Sequence, residues 1–223
     1  MPAPLGDKKP HPYKAGKVVR TIMLKVGLTG SIAVGKSFVL KVLSDLGCHV
    51  LDADKTAREV VAQGTAGLNA VVDAFGRDIL RTDGTLDRAR LGAIVFADEE
   101  KRLRLNSILH PFIIAEQDKQ LGGLEQEDPD GIAVVDASLM IESGSYSRFD
   151  KVIVVHCRSE IQVERLMSRD GLSRADAESR IAAQMPQEEK KKYADFLIDT
   201  SAGFDAASEQ TKEVFADLKR VNG

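Results

Sequence analysis

Tryptophan is absent from these 223 residues, cysteine occurs twice, and aromatic side chains make up only 5% of the chain. The two cysteines, Cys48 and Cys157, sit at the edges of apolar runs. They exclude a disulfide framework and read as buried thiols of a reducing compartment, with the cytoplasm as the default location. Runs long enough to cross a membrane are also missing, as is the apolar core of a signal peptide, so no membrane partner is expected. A basic excess is lacking too. Residues 1–22 carry Lys8, Lys9, Lys14, Lys17 and Arg20 against Asp7, a balance of +4; the total is −3, which leaves −7 for the rest. An acidic body argues against a nucleic-acid partner. Residues 1–22 hold Pro2, Pro4, Pro10 and Pro12 and have little periodic apolar content. They are expected to be a disordered leader or tag, with Met23 as the functional first residue.

What is present is ordinary in bulk, 43% hydrophobic and 29% charged, and long enough for one α/β domain with a sizeable insertion. Residues 24–38, LKVGLTGSIAVGKSF, organise it. They read as a short apolar strand, a glycine-bearing turn and the first turn of a helix. Inside them, Gly30-Ser31-Ile32-Ala33-Val34-Gly35-Lys36-Ser37 fits the phosphate-binding pattern G-x-x-x-x-G-K-[ST], the P-loop. Glycine lets consecutive backbone N–H groups converge on an anion, and the following helix adds its own free N–H groups. Lys36 would reach the β- and γ-phosphates, and the Ser37 hydroxyl would ligate Mg²⁺.

The helix after the loop carries Phe38, Val39, Val42, Leu43 and Leu46 on one stripe and stops at Gly47. A second apolar run, 48–51, ends in Asp52-Ala53-Asp54. Strand, helix and strand within about thirty residues make a βαβ unit and a parallel sheet, whose ligands sit beyond the carboxyl ends of the strands. From 55 to 127 the pattern turns helical, with helices expected at 55–63, 66–75, 87–97 and 98–121. Asp87 and Asp98 are their N-caps, and His110-Pro111 is expected to break the last one. Ile132-Ala133-Val134-Val135 is a buried strand closed by Asp136, the form of a second magnesium-associated acid or of a helix cap. Further strands are expected at 151–155 and 196–199, and helices at 160–168, 173–185 and 204–221. Lys190-Lys191-Lys192 reads as a solvated run.

Phosphoryl transfer needs a charge-complementary cradle, a metal site and an oriented nucleophile. Asp54 or Asp52 is the candidate to accept a proton from an incoming hydroxyl. Their side chains point the same way if the strand geometry persists, while Asp52 alternatively caps the next helix. Arg165 and Arg169, four apart on one helical face, can clamp a triphosphate as a closing lid or form a solvated face with Glu160 and Asp170. The histidines show no metal-like spacing with the cysteines. His110 stands out through its place at the proline.

The succession VGLTGSIAVGKS, VLDADKTAREVV, FGRDIL…DGTLDRARLGAIVF, LNSILHP, VVDASLMIESG and ADFLIDTSAG resembles the dephospho-CoA kinases over about 26–203. That resemblance implies an α/β fold of the P-loop NTPase type. Its three-layer, parallel-sheet core would comprise 23–54 and 128–223, with a helical lid at about 160–192 and an acceptor-binding helical insertion at 55–127. It implies MgATP-dependent phosphorylation of the ribose 3′-hydroxyl of dephospho-CoA, the last step of coenzyme A biosynthesis, by a monomer or weak homo-oligomer. Carried onto this chain, Asp54, Lys36 and Arg165 are catalytic. Gly30, Ser31, Ile32, Ala33, Val34, Gly35, Lys36, Ser37, Phe38, Arg169 and Gly203 bind ATP. Asp54, His110 and Asp136 hold the acceptor, and Ser37 and Asp52 the metal. Family loops usually read Gly-Gly-Ile-Gly-Ser-Gly-Lys-Ser, so Ser31, Ala33 and Val34 make this one less permissive. Ser138 stands where a proline is usual. The alternatives are a nucleotide or small-metabolite kinase with another hydroxyl acceptor, or a nucleotide-dependent switch. No Asn-Lys-x-Asp base reader of a guanine switch occurs.

Overall fold

A computed structural model describes residues 22–222; the leader expected over 1–22 therefore lies, but for Ile22, outside the described residues. Five strands, β1 (Leu24–Thr29), β2 (His49–Asp52), β3 (Ile132–Asp136), β4 (Lys151–His156) and β5 (Phe196–Asp199), form one sheet in the order β2-β3-β1-β4-β5. Every pairing is parallel. The register sets Asp136 opposite both Leu28 and Asp52, so the carboxyl ends of the three neighbouring strands are level. Ligands of parallel sheets collect at that edge.

Both faces of the three central strands are covered, which is why β1, β3 and β4 are near-continuous buried runs rather than alternating ones. On one face Val26, Leu28, Val134, Ile153 and Ile198 pack against Val39 and Leu43 of α1 (Lys36–Asp45) and Leu218 of α9 (Phe204–Asn222). On the other, Ala133 and Val135 meet Met140, Phe149 and Leu121. Burial of each large aliphatic side chain contributes about 1.5–3 kcal/mol.

Between β2 and β3 lie α2 (Ala53–Glu59), α3 (Ala66–Phe75), α4 (Arg88–Phe96) and α5 (Glu99–Glu127), with an apolar cluster of their own around Val61, Leu68, Val71, Ile79 and Leu91. Asp87 and Asp98 cap α4 and α5 as expected, accepting from Arg90 N–H and Lys101 N–H. Pro111 does not break α5, which runs unbroken for 29 residues. Proline removes one helical hydrogen bond and costs about 3 kcal/mol in a helix interior. Ile108, Leu109, Phe112 and Ile113 flank it and pack into the helical cluster, and their burial offsets that loss.

After β4 come α6 (Ser159–Asp170), α7 (Arg174–Ala182) and α8 (Gln187–Lys191). The solvated reading of 190–192 fails at Lys190, whose side chain is fully buried. No helix among the described residues is long and apolar enough to cross a membrane.

Candidate active site

The loop from Gly30 to Gly35 joins β1 to α1 at the carboxyl edge of the sheet. A Cβ on Gly30 would stand 2.5 Å from the Val155 carbonyl oxygen, so only glycine passes there. Gly35 caps α1 at φ +91°, in the left-handed region. Ala33 takes φ +61° and is the only described non-glycine residue with a positive φ. That conformation costs an L-residue roughly 1–2 kcal/mol.

Polar contacts from distant parts of the chain hold the loop. Thr200 Oγ1 donates to the Val34 carbonyl at 2.7 Å. Ile32 N–H donates to Gln184 Oε1 and the Ile32 carbonyl accepts from Gln162 Nε2, both at 2.8 Å. Ser31 Oγ donates to the Met185 carbonyl. The loop lines a cavity of about 690 Å³ that takes in Ser31 through Ser37, Asp54, Arg165 and Arg169. Lys36 Nζ is hydrogen-bonded to Asp136 Oδ1. Burial pushes the Asp136 carboxyl up, Lys36 opposes the shift, and Asp52 and Asp54 add to it, so three carboxylates and a lysine share one electrostatic neighbourhood.

The strand geometry invoked for Asp52 and Asp54 ends at Asp52. Its Oδ1 accepts from Asp54 N–H at 2.8 Å and Lys55 N–H at 3.1 Å, which starts α2. Asp54 is thereby in the first turn of a helix, on the wall shared by the P-loop cavity and a second cavity of about 570 Å³. His110, Asn106, Ser107 and Ile113 from α5 line the second cavity, facing Ala137, Ser138 and Arg148. Asp136 lines neither cavity and stands behind Lys36.

Arg165 is half-buried, with Nη1 donating to Thr200 Oγ1 at 2.7 Å and Nη2 to the Thr200 carbonyl at 2.8 Å. Arg169 forms a two-bond pair with Asp170. Phe38 stacks on Phe204 with ring centroids 4.7 Å apart, and neither it nor Gly203 lines the P-loop cavity. Thr200, Gln162, Gln184 and Arg148 escaped the sequence reading. Single polar residues scattered over helices, turns and strand ends carry no spacing signal, although Thr200 lies in the ADFLIDTSAG stretch.

The dephospho-CoA kinase family model matches residues 24–206. The chain belongs to the dephospho-CoA kinase family. Relatives of that name share 45% identity with it: from Carboxydothermus hydrogenoformans over 87% of this chain and 94% of that one, and from Geobacter sulfurreducens over 86% and 96%. Among solved structures, dephospho-CoA kinase from Campylobacter jejuni is 31% identical, covering 89% of this chain and 98% of its own, with a TM-score of 0.68. TT1252 from Thermus thermophilus is also 31% identical, over 88% and 98%, with a TM-score of 0.76. Membership of this kinase family, together with the P-loop at 30–37, implies ATP as phosphoryl donor and a small molecule as acceptor.

Proposed function

We propose that this kinase transfers the γ-phosphoryl group of ATP to the ribose 3′-hydroxyl of dephospho-CoA, in the cytoplasm, with donor and acceptor meeting at Asp54. One observation carries this reading: a single exposed carboxylate belongs to the walls of both the P-loop cavity and the cavity under the inserted helices. A carboxylate so placed can accept the proton of a hydroxyl entering from one side while the phosphoryl group arrives from the other. Transfer forms the bond from the 3′-oxygen to phosphorus, breaks the bond from the γ-phosphorus to the bridging oxygen, and leaves ADP with the electron pair.

The other residues take supporting parts. The amides of the loop and of the first turn of α1 orient the phosphates, and Lys36 balances their charge. Arg165, fixed by Thr200 against Gly35, lends its charge to the same cavity, and Arg169 stands at its rim. His110 and the apolar side chains around it orient the acceptor in the second cavity. On this reading α2 through α5 form the acceptor-binding insertion, and α6 through α8 the lid.

Magnesium would be held by Ser37, which lines the P-loop cavity, and by Asp52, which lines neither cavity and whose Oδ1 caps α2. The exposed hydroxyl of Ser37 and the carboxylate of Asp52 are hard oxygen ligands, and this ion commonly takes one or two protein oxygens beside substrate phosphates. When bound, it would supply charge neutralisation at the phosphate oxygens. Buried, unbridged Cys48 and Cys157 support a reducing compartment.

The test is ATP turnover with dephospho-CoA, adenosine, AMP or no acceptor. Turnover that rises only with dephospho-CoA is the expected result. Equal stimulation by AMP or adenosine would favour another small-molecule kinase, and acceptor-independent hydrolysis a nucleotide-dependent switch.

A further inference from the structure

Among the described residues Lys190 has the largest of the fully buried side chains, in a helix of only five residues. Taking an ammonium group out of water is costly, and a hydrophobic residue of equal volume would fill the space without that cost. Its contacts explain its presence. Lys190 Nζ donates to the Ser138 carbonyl at 2.8 Å and lies 2.8 Å from Glu142 Oε1. Ser138 lies on the walls of both cavities, and Glu142 lines the second. The same Ser138 carbonyl accepts from Thr29 Oγ1 at 3.3 Å, one residue before the P-loop begins. Six residues upstream of Lys190, Gln184 accepts from the P-loop amide of Ile32. The segment 184–190 thus grips the donor loop at one end and the wall facing the acceptor at the other.

We propose that Lys190 is a positioning residue for the acceptor: by pinning the Ser138 carbonyl and the Glu142 carboxylate, it fixes the partition between the two cavities. This rests on the second cavity being the acceptor site. Lysine suits the task because its three donors can serve a carbonyl and a carboxylate together. Methionine would keep the stem and lose both bonds. Lys190 and Thr29 hold the Ser138 carbonyl of the turn after β3 from outside that turn.

The test is steady-state kinetics on the full chain, varying ATP and dephospho-CoA separately. Lys190→Met is expected to raise the KM for dephospho-CoA about tenfold, the equivalent of losing one charged hydrogen bond, while the KM for ATP stays within about twofold. Lys190→Arg, which keeps a cation and donors, should recover part of that rise. Thr29→Val removes the other donor to the Ser138 carbonyl and should raise the same KM about threefold, at about half the free-energy effect. Thr29→Val also decides the matter if Lys190→Met does not fold. Amide exchange over 137–143 should accelerate in either variant while that over 30–37 does not. An acceptor KM unchanged in the variants, or both KM values rising together, would overturn the proposal. If the wild-type protein ignores dephospho-CoA, the acceptor reading itself has failed, and exchange over 137–143 still reports whether the pin exists.

Discussion

The two cavities that meet at Asp54 differ in what lines them and in what holds the lining still. On the P-loop side the wall is the loop itself with Lys36, Arg165 and Arg169, and Thr200, Gln162 and Gln184, far away in sequence, bond the loop's main chain into place. On the other side the wall is side chains from α2, α5 and the segment after β3, resting partly on the helical cluster and partly on the sheet face of Val135, Met140 and Phe149. A triphosphate carries several charges and demands fixed dipoles, whereas a large, partly apolar acceptor is selected by shape. Damage to the first side should therefore appear in turnover, and damage to the second in acceptor affinity.

The sharpest way to break that contrast is Lys36→Ala. It removes phosphate charge compensation and should lower kcat about a thousandfold with the fold intact by circular dichroism. Wild-type turnover in that variant would dissolve the distinction. Asp54→Asn comes next, with kcat expected to fall about a hundredfold and the acceptor KM to change far less, because the amide keeps the shape and loses the base. A KM effect larger than the kcat effect would move Asp54 to a binding role. Ile79→Ala empties part of the helical cluster and should cost about 2–5 kcal/mol by denaturant unfolding, raising the acceptor KM ahead of the ATP KM. Equal loosening of both sites would mean that the two cores are one unit.

Smaller effects sharpen the comparison. Ala33→Gly relieves the left-handed alanine but returns entropy to the unfolded chain, for a net gain of up to about 1 kcal/mol in unfolding free energy. A loss of stability there would mean that the alanine methyl packs usefully. Burial pushes the Cys48 thiol up to about 11. The folded protein then keeps a proton that the unfolded chain releases from about pH 9, so this group's contribution to stability falls as pH rises from there toward 11. Thiol labelling of the native protein at pH 8 should be slow at both Cys48 and Cys157 until the chain is unfolded. Fast labelling at either would contradict their burial.

The same contrast governs what could be read from residues alone. β1, β4 and β5 are short, mostly apolar runs between turn residues, and their positions were legible to within a residue. The caps Asp87 and Asp98 were legible because capping is local. The P-loop was legible for a similar reason, since its chemistry lies in consecutive backbone groups. Asp54 was singled out, but on the premise that the strand continued, when the side chain of Asp52 had already turned the chain into a helix. Pro111 misled because local φ/ψ preference was set against the tertiary packing of Phe112 and Ile113. Lys190 was invisible because a buried lysine beside two others has no sequence signature. The second cavity gathers residues from 53 to 149, and no periodicity announces such a set.

The most direct measurement is a crystal structure with a non-hydrolysable ATP analogue and dephospho-CoA bound together. The account predicts the triphosphate along Gly30 to Ser37, and the ribose 3′-hydroxyl within about 3 Å of the Asp54 carboxylate, entering from the cavity beneath α5. Dephospho-CoA bound elsewhere, such as in the cavity of about 490 Å³ between α6 and α8, with Asp54 facing solvent, would contradict it.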